Sequence, residues 1–395
     1  MQESLPLSLY VHFPWCVAKC PYCDFNSHSV KGELPAREYV DALIAELEVA
    51  AAVLEDRCVS SVFLGGGTPS LFPPEEIARL MATAGRYLQL APDTEVTMEA
   101  NPGAVEHGAF SGYRQAGVNR LSLGVQSFND AKLRSLGRIH DSEAAAHAFR
   151  EARTAGFTNI NLDLMYALPD QTPAEALADV SAALALAPEH ISYYHLTLEP
   201  NTIFYSRPPR LPDQDAAWEI QARAAEMLSS AGYANYEVSA WARQEQMCRH
   251  NLNYWQFGDY LGIGAGAHGK LTSRTGRVAR EKRAAHPREY LRRLQSSAFP
   301  GDRHEVQAKD LLFEFMLNAL RLRAGFTLSL FEQRTGLPAD TLRPWLQKAA
   351  AKQLLVEGPA GHWQASDRGW RFLDDLQGMF LPEDQDSTGA ERGVI

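Results

Sequence analysis

Three of the five cysteines lie within eight residues, at Cys16, Cys20 and Cys23, and this triplet constrains the chain more than any other feature. It directly follows Leu7–Phe13, an apolar run that predicts a buried strand. Thiolates at intervals of four and three residues can wrap one face of a [4Fe–4S] cubane, each sulfur holding one iron. No fourth cysteine is within reach in sequence, so the fourth iron would stay open to a small ligand.

A zinc site or buried free thiols are the alternatives for this triplet. Structural zinc takes four closed ligands, and His12 and Asp24 are the nearest candidates for the fourth position. The other cysteines, Cys58 and Cys248, leave an odd total in a chain without a recognisable export signal. A disulfide framework is therefore not expected.

Up to about residue 231, short apolar or β-branched runs alternate with segments of helical period, which is typical of a parallel sheet covered by helices. Six such units predict an α/β fold with a partial (β/α)6 barrel, whose ligands collect at the carboxyl ends of the strands. The predicted strands are Leu7–Phe13, Ser60–Leu64, Glu95–Glu99, Asn119–Val125, Asn159–Met165 and Ile191–Thr197. The predicted helices begin near Pro35, Pro74, Val105, Ser142, Thr172 and Asp213.

The pattern changes at three points along the chain, which predicts four regions in all. Residues 1–231 form the barrel, and 232–306 form an irregular, aromatic-rich connecting region. Residues 307–381 form a smaller, mainly helical domain, in which Leu328–Thr335 and Ala339–Lys352 look like a helix-turn-helix and a hairpin near Gly358–Gly361 like a wing. Residues 382–395 form a polar tail that we expect to be flexible.

Charge and hydropathy restrict the partners. A net charge of −10 opposes broad nucleic-acid binding, and residues 307–381 carry nine Lys/Arg against eight Asp/Glu, so the helix-turn-helix has no strongly basic composition. No stretch approaches the roughly 18 consecutive apolar residues of a membrane span. The sequence predicts a cytoplasmic protein without nucleic acid as a partner.

Polar and glycine residues follow several predicted strands and could form one polar cage at the barrel mouth. Gly66, Gly67 and Thr68 belong to a glycine triplet turn whose backbone could approach a ligand closely, although a plain tight turn explains such a triplet equally well. Taken singly, the later polar residues are more often ordinary rim residues. They are Glu99, Gln126, Arg138 and Asp163.

The segment His250–Trp255 combines an imidazole, amides and two large aromatic side chains. Imidazole can ligate haem iron and aromatic faces can pack against a macrocycle, which favours a porphyrin contact. A packed aromatic loop with a hydrogen-bonded histidine is the alternative. Cys248 is a weaker candidate ligand nearby.

Motifs along nearly the whole chain resemble those of the radical SAM superfamily, and within it the family of oxygen-independent coproporphyrinogen III oxidases and their relatives. The spacing CxxxCxxC after a first strand carries the superfamily resemblance. The family resemblance rests on YVHFPWC from Tyr10, GGGTP from Gly65, EANPG from Glu99, GVQSF from Gly124, GRIH from Gly137 and DLMYALP from Asp163.

The resemblance implies a radical SAM partial barrel followed by a winged-helix-like domain, with residue-specific roles. Cys16, Cys20 and Cys23 would bind the [4Fe–4S] cluster, and S-adenosylmethionine would chelate its open iron. The residues that match the family's S-adenosylmethionine contacts are Tyr10, Tyr22, Gly66, Gly67, Thr68, Glu99, Gln126, Arg138 and Asp163.

Within the family, the chain is most similar to the HemW-type haem chaperones. The oxidases have a further cysteine two residues after the third, where this sequence has Phe25, and a long N-terminal extension, where only fifteen residues precede Cys16. The HNxxYW pattern from His250 is associated with haem binding in the chaperone branch. The resemblance thus implies a haem chaperone that serves haem-requiring recipients such as respiratory enzymes, with a homodimer as one expected state. Oxidative decarboxylation of coproporphyrinogen III is the alternative.

Overall fold

A computed structural model describes residues 5–54, 57–103, 109–296 and 301–382. Within these ranges, no helix has the length and apolar composition needed to cross a bilayer. The helix start predicted near Val105 and the tail predicted at 382–395, apart from Pro382, lie outside the described residues. The chain divides into two compact units, a large one that contains most of residues up to 304 and a smaller one formed mainly by residues from 305 onward.

Strands are numbered in chain order over the described residues. They are β1 Leu7–Phe13, β2 Trp15–Cys16, β3 His28–Ser29, β4 Cys58–Gly66, β5 Gln89–Ala100, β6 Arg120–Gln126, β7 Ile160–Tyr166, β8 His190–His195, β9 Ala234–Asn235, β10 Ala240–Ala242, β11 Asp259–Ile263, β12 His268–Thr272, β13 Val278–Arg283, β14 Gly301–Glu305, β15 Phe326–Thr327, β16 Leu355–Glu357 and β17 His362–Ala365.

Helices are numbered in the same way. They are α1 Ala36–Leu54, α2 Pro74–Tyr87, α3 Phe110–Gln115, α4 Asp130–Ser135, α5 Ser142–Thr154, α6 Pro173–Leu186, α7 Ile203–Ser206, α8 Gln214–Ser230, α9 Arg249–Trp255, α10 Pro287–Gln295, α11 Ala308–Ala319, α12 Leu328–Thr335, α13 Arg343–Ala351, α14 Asp367–Arg371 and α15 Leu373–Gly378.

The predicted partial barrel is confirmed. Six strands, β1 and β4 to β8, pair in parallel in chain order, each with its neighbour. Most of their residues are buried, as expected for parallel strands whose outer face is covered by helices. Alternation along the strands directs one set of side chains into the barrel lumen and the other into the core beneath the helices.

The region 232–306 is not irregular as the sequence suggested. Strand β11 pairs in parallel with β1, and β12, β13 and β14 continue the same sheet beyond it. Alternating patterning is hidden here because glycines Gly262, Gly264 and Gly266 interrupt the apolar side chains. An added Cβ on Gly264 would lie 2.5 Å from the carbonyl oxygen of His12, so the close approach to the barrel requires glycine.

The smaller unit has the winged-helix-like elements that the sequence predicts. Helix α12 spans Leu328–Thr335, is capped by the Thr327 side chain and ends at Gly336 in the left-handed conformation. Helix α13 follows after a short 3-10 turn, and β16 and β17 pair as an antiparallel hairpin. Its core is centred on Phe315, Phe331 and Leu346.

Candidate functional site

The cysteine loop lies at the carboxyl end of β1. Cys16 is in β2, which pairs with β3, and the amide of Cys23 donates to the carbonyl of Cys20 at 3.2 Å. All three cysteines are partly exposed and are free of disulfides. Burial raises the pKa of the Cys16 thiol, and a hydrogen bond from Thr68 opposes that rise.

A chain of four hydrogen bonds connects two of these cysteines. Thr68 Oγ1 donates to Cys16 Sγ at 3.3 Å, and Asn101 Nδ2 donates to Thr68 Oγ1 at 2.9 Å. Arg138 Nη2 donates to Asn101 Oδ1 at 2.6 Å, while its Nη1 donates to Cys20 Sγ at 3.6 Å. Donors directed at sulfur stabilise the anionic form, so this chain of hydrogen bonds suits thiolates.

This donor set fits a cubane better than a single ion. Among the described residues, no three His, Cys, Asp or Glu side chains converge closely enough to hold one metal ion. A cubane does not need such convergence, because each thiolate binds a different iron of the cluster. The cysteines would therefore hold a cluster from one side, as the sequence predicts.

The glycine turn after β4 packs directly on the cysteine loop. The amides of Gly67 and Thr68 donate to the carbonyls of Phe13 and Trp15 at 2.7 and 2.8 Å. Gly66 has a φ of 110°, and an added Cβ there would lie 2.4 Å from the His12 ring. The glycines are therefore required for this close packing itself.

Glu99 and Asp163 form a pair of buried carboxyl groups in the lumen. Glu99 accepts from the Gly66 amide at 3.0 Å, and burial, followed by the nearby Asp163, raises the pKa of Glu99 to about 7. Asp163 accepts from Ser122 at 2.9 Å and from Asn161 at 2.8 Å, while burial raises its pKa. Buried carboxyl groups of this kind can accept a cation or hold a proton.

Tyr10 and Gln126 also face the lumen. The Tyr10 hydroxyl lies 3.0 Å from His12 Nδ1, and His12 Nε2 lies 2.9 Å from the carbonyl oxygen of Asn26. Gln126 has a φ of 71° and accepts from the Tyr194 hydroxyl at 2.6 Å. A left-handed glutamine at a strand end is strained, and such strain is concentrated at functional sites.

Tyr22 differs from the other predicted contacts. Its ring lies 6.4 Å from that of Phe204 and joins a small apolar cluster with Leu136 and Met165. Burial raises its pKa, so the hydroxyl is neutral. Tyr22 therefore anchors the cysteine loop through packing.

His250 lies deeper in the barrel than the polar cage. Its Nδ1 is 3.4 Å from Ser61 Oγ, and its ring lies 4.9 Å from Phe63 and 6.2 Å from Tyr10. Burial, then the nearby Arg120, lowers the pKa of His250 to about 3, so the imidazole is neutral. The structure thus brings the cysteine triplet, the glycine turn and the later polar residues to one end, and leaves His250 toward the amino ends of the strands.

His250 belongs to a buried group that we name the floor cluster, made of Glu95, Arg120, Cys248 and His250. Glu95 accepts from the amides of Arg249 and His250 at 3.1 and 3.3 Å, and so caps helix α9. Cys248 Sγ donates to Glu95 at 3.5 Å, and burial raises the pKa of that thiol to about 12. Cys248 is thus a neutral thiol and a poor metal ligand.

Asn101 is the main site residue that sequence reasoning did not assign. It joins Thr68 to Arg138, and its position in EANPG at the end of β5 was the available signal. Asn26 is a second: its Nδ2 donates to the carbonyls of Ala265 and Ala285 at 3.0 and 2.8 Å. No local sequence pattern predicts a contact between residues so far apart in sequence.

Two family models match the chain. The Radical SAM superfamily model covers residues 10–182, and the HemN C-terminal domain model covers residues 306–372. The two matches fall on the barrel and on the smaller unit, in agreement with the sequence interpretation.

Curated relatives match almost the whole chain. A protein named Heme chaperone HemW from Escherichia coli is 48% identical over 97% of this chain and 100% of its own length. Proteins of the same name from Haemophilus influenzae and Bacillus subtilis are 46% and 34% identical, over 97% and 95% of this chain and 100% and 99% of theirs. Among solved structures, coproporphyrinogen III oxidase HemN from Escherichia coli, described as a radical SAM enzyme, matches with a TM-score of 0.80 and 25% identity, over 95% of this chain and 90% of that one.

Proposed function

Because this chain belongs to the HemW family of heme chaperones within the radical SAM superfamily, we propose that it takes up haem and transfers it to haem-dependent proteins. The observation that carries this proposal is the 48% identity that extends over 97% of the chain. The cysteine triplet and the hydrogen bonds to Cys16 and Cys20 support it, because they supply a site for the cluster that the superfamily uses.

In this proposal, Cys16, Cys20 and Cys23 hold the [4Fe–4S] cluster. When bound, the cluster supplies an open iron for S-adenosylmethionine and a route for one electron. Thr68 and Arg138 orient the sulfur atoms through the hydrogen bonds at Cys16 and Cys20.

The S-adenosylmethionine site is proposed along the lumen side of the cage. In this proposal Glu99, which already accepts from the Gly66 amide, also accepts from an ammonium or a ribose hydroxyl. The other proposed contacts are the remaining residues that match the family's motifs. They are Tyr10, Tyr22, Gly67, Thr68, Gln126, Arg138 and Asp163.

His250 remains the proposed haem ligand from the HNxxYW segment. Its ring is neutral, and its Nε2 makes no hydrogen bond with a described residue, so in the tautomer that has the proton on Nδ1 the Nε2 lone pair can bind iron. Because the residue is 8% exposed, haem that binds there must enter the lumen. We expect His250→Ala to weaken haem retention and to leave the cluster unchanged, which haem absorbance and iron content would report together.

The oxidase alternative is not favoured. The relatives of 34–48% identity cited above are named heme chaperones, whereas the HemN structure is 25% identical. Phe25 occupies the position of the oxidases' additional cysteine and is exposed. Anaerobic incubation with coproporphyrinogen III should therefore yield no protoporphyrinogen, and turnover at a useful rate would contradict the chaperone assignment.

Haem transfer is the direct test. The full chain, reconstituted anaerobically with iron and sulfide, is loaded with haem and mixed with the apo form of a haem-dependent respiratory enzyme. We expect the enzyme to gain haem and activity, and we expect size-exclusion chromatography to show a homodimer during the cycle. The control is haem at the same concentration without the chain, which separates transfer from spontaneous loading. Equal gains in the two samples would contradict the proposed function.

A further inference from the structure

The strands that extend the barrel beyond β1 have two different faces. Glu281 and Arg283 of β13 point outward, since Arg283 pairs with Glu281 at 2.8 Å and with Glu46 of helix α1 at 2.5 Å. Alternation along a strand then places Arg280 and Lys282 on the opposite, inner face. The hydrogen bond from Arg280 Nη1 to the Tyr260 hydroxyl at 3.0 Å agrees with that placement.

This inner face is continuous with the lumen of the barrel. Tyr260 of β11 is in register with Ser8 of β1, and paired residues of neighbouring strands share a face. Ser8 is hydrogen-bonded to Ser61 at 2.7 Å, within the lumen. The inner face of strands β11 to β14 is therefore a direct continuation of the lumen surface.

Three basic side chains gather on this face, and we name them the inner-face cluster: His268, Arg280 and Lys282. His268 and Lys282 are exposed and Arg280 is partly so. Burial and then the neighbouring Lys282 and Arg280 lower the pKa of His268, which places both cations near its ring.

Opposing acid on this face is limited. Arg303 bridges to Glu281 on the outer face at 3.6 Å, so alternation places Asp302 and His304 of β14 on the inner face. Lys282 makes no ion pair with Asp302 or with any other described residue, so among the described residues this cation has no opposing carboxylate. An uncompensated cation beside the lumen suits an anionic ligand group.

Aromatic rings lie next to these cations. The Tyr254 and Tyr260 rings are 5.0 Å apart, and Tyr260 also accepts the hydrogen bond from Arg280. Tyr260 is buried and Tyr254 partly exposed, so a ligand would meet this pair from the lumen. Aromatic rings bordered by guanidinium and ammonium groups match an apolar planar ligand that carries carboxylates at one edge.

We propose that Arg280 and Lys282 bind the propionate carboxylates of the porphyrin, while the macrocycle extends over Tyr254 and Tyr260 toward the lumen. The inference rests on the proposed haem-chaperone function and adds to it the site that orients the ligand. It assigns the carboxylate-binding residues to a part of the chain outside both the cysteine loop and the HNxxYW segment.

The test compares haem with its dimethyl ester, in which both propionates are esterified. Full-length, cluster-reconstituted protein is titrated with each ligand under anaerobic conditions. We expect wild type to bind haem at least tenfold more tightly than the ester. The double variant R280A/K282A should bind haem about tenfold more weakly and the ester with unchanged affinity, because the ester has no carboxylates for the two cations to contact.

Single variants separate binding from folding. Lys282→Ala, at an exposed position without an ion pair, should reproduce part of the loss, and Lys282→Arg should restore the preference for haem. Arg150→Ala, an exposed cation on the outer helix α5, is the matched control and should change neither affinity.

The outcomes distinguish the site from the function. Wild type that transfers haem but binds haem and ester equally would overturn the site and leave the proposed function intact. A double variant that keeps the full preference for haem would do the same. Wild type that binds neither porphyrin would contradict both proposals.

Discussion

The two ends of the barrel both place cysteine near an arginine, yet they create opposite environments for sulfur. At the mouth, Thr68 and Arg138 donate to Cys16 and Cys20, and the thiols are partly exposed. In the floor cluster, Cys248 is itself the donor, to Glu95, and burial raises its pKa to about 12. The direction of the hydrogen bond therefore distinguishes a sulfur suited to iron from one that serves as packing.

Replacing single cysteines by serine should produce the largest difference between the two ends, measured as iron content. Cys16→Ser should abolish cluster retention after anaerobic reconstitution, because three thiolates are needed to hold the cubane. Cys248→Ser should retain full iron content, since its thiol is neutral. Iron and sulfide analysis with visible absorbance measures both, and Cys58→Ser at an exposed position is the control. Loss of iron in the Cys248 variant would contradict the distinction.

Removal of the acid in the floor cluster should destabilise the fold. Glu95→Ala deletes the acceptor for the amides of Arg249 and His250 and leaves Arg120 buried without that carboxylate. We expect the free energy of unfolding to fall by about 3 kcal/mol, from the lost cap and the lost charged hydrogen bonds. Denaturant titration followed by circular dichroism measures it, with the exposed Glu75→Ala as control. Equal midpoints for the two variants would show that Glu95 is not structural.

Because His250 is neutral when buried, we expect the free energy of unfolding to decrease at acidic pH. Its pKa is lowered to about 3 in the folded chain, whereas an unfolded histidine titrates near 6.5, so the unfolded state binds more protons between these values. Stability is thus fully present above about 6.5 and is lost as pH falls toward 3, by about 2 kcal/mol between pH 7 and 5. His250→Gln should reduce this loss in unfolding curves recorded at the two pH values. An identical loss in wild type and variant would place the titration elsewhere.

The smallest expected effect is that of a conservative substitution at the barrel mouth on S-adenosylmethionine affinity. Arg138→Lys keeps the charge but loses the forked contact to Asn101 and Cys20. We expect S-adenosylmethionine binding to weaken about tenfold, the equivalent of one charged hydrogen bond, and the cluster potential to become more negative. Isothermal titration and a potentiometric titration measure the two. An unchanged potential would remove Arg138 from the environment of the cluster.

Local patterns predicted the elements whose signals are local. Strand β1 is predicted at Leu7–Phe13 and is found there, because a short apolar run of this length indicates a buried strand. Helix α12 was predicted at its observed bounds, since Thr327 and Gly336 mark its two ends. The glycine turn and the cysteine triplet were also visible, because their spacing alone carries chemistry.

Long-range contacts could not be predicted from these patterns. The pairing of β11 with β1 joins segments about 250 residues apart, and the glycines of that region hide its strand character. The burial of His250 depends on Phe63 and Ser61, which no periodicity links to it. The ligand roles of the site residues and the domain boundaries at 231 and 306 stay predictions.

Asn26 ties the cysteine loop to Ala265 and Ala285, residues 239 and 259 positions later in the chain. Strand β1 likewise gains its second neighbour only when β11 is present. During synthesis from the N-terminus, the loop therefore emerges long before the segments that fix its shape. Before these segments are synthesised, the cysteine loop lacks the contacts that fix its conformation. We therefore expect cluster assembly only after about three quarters of the chain has left the ribosome.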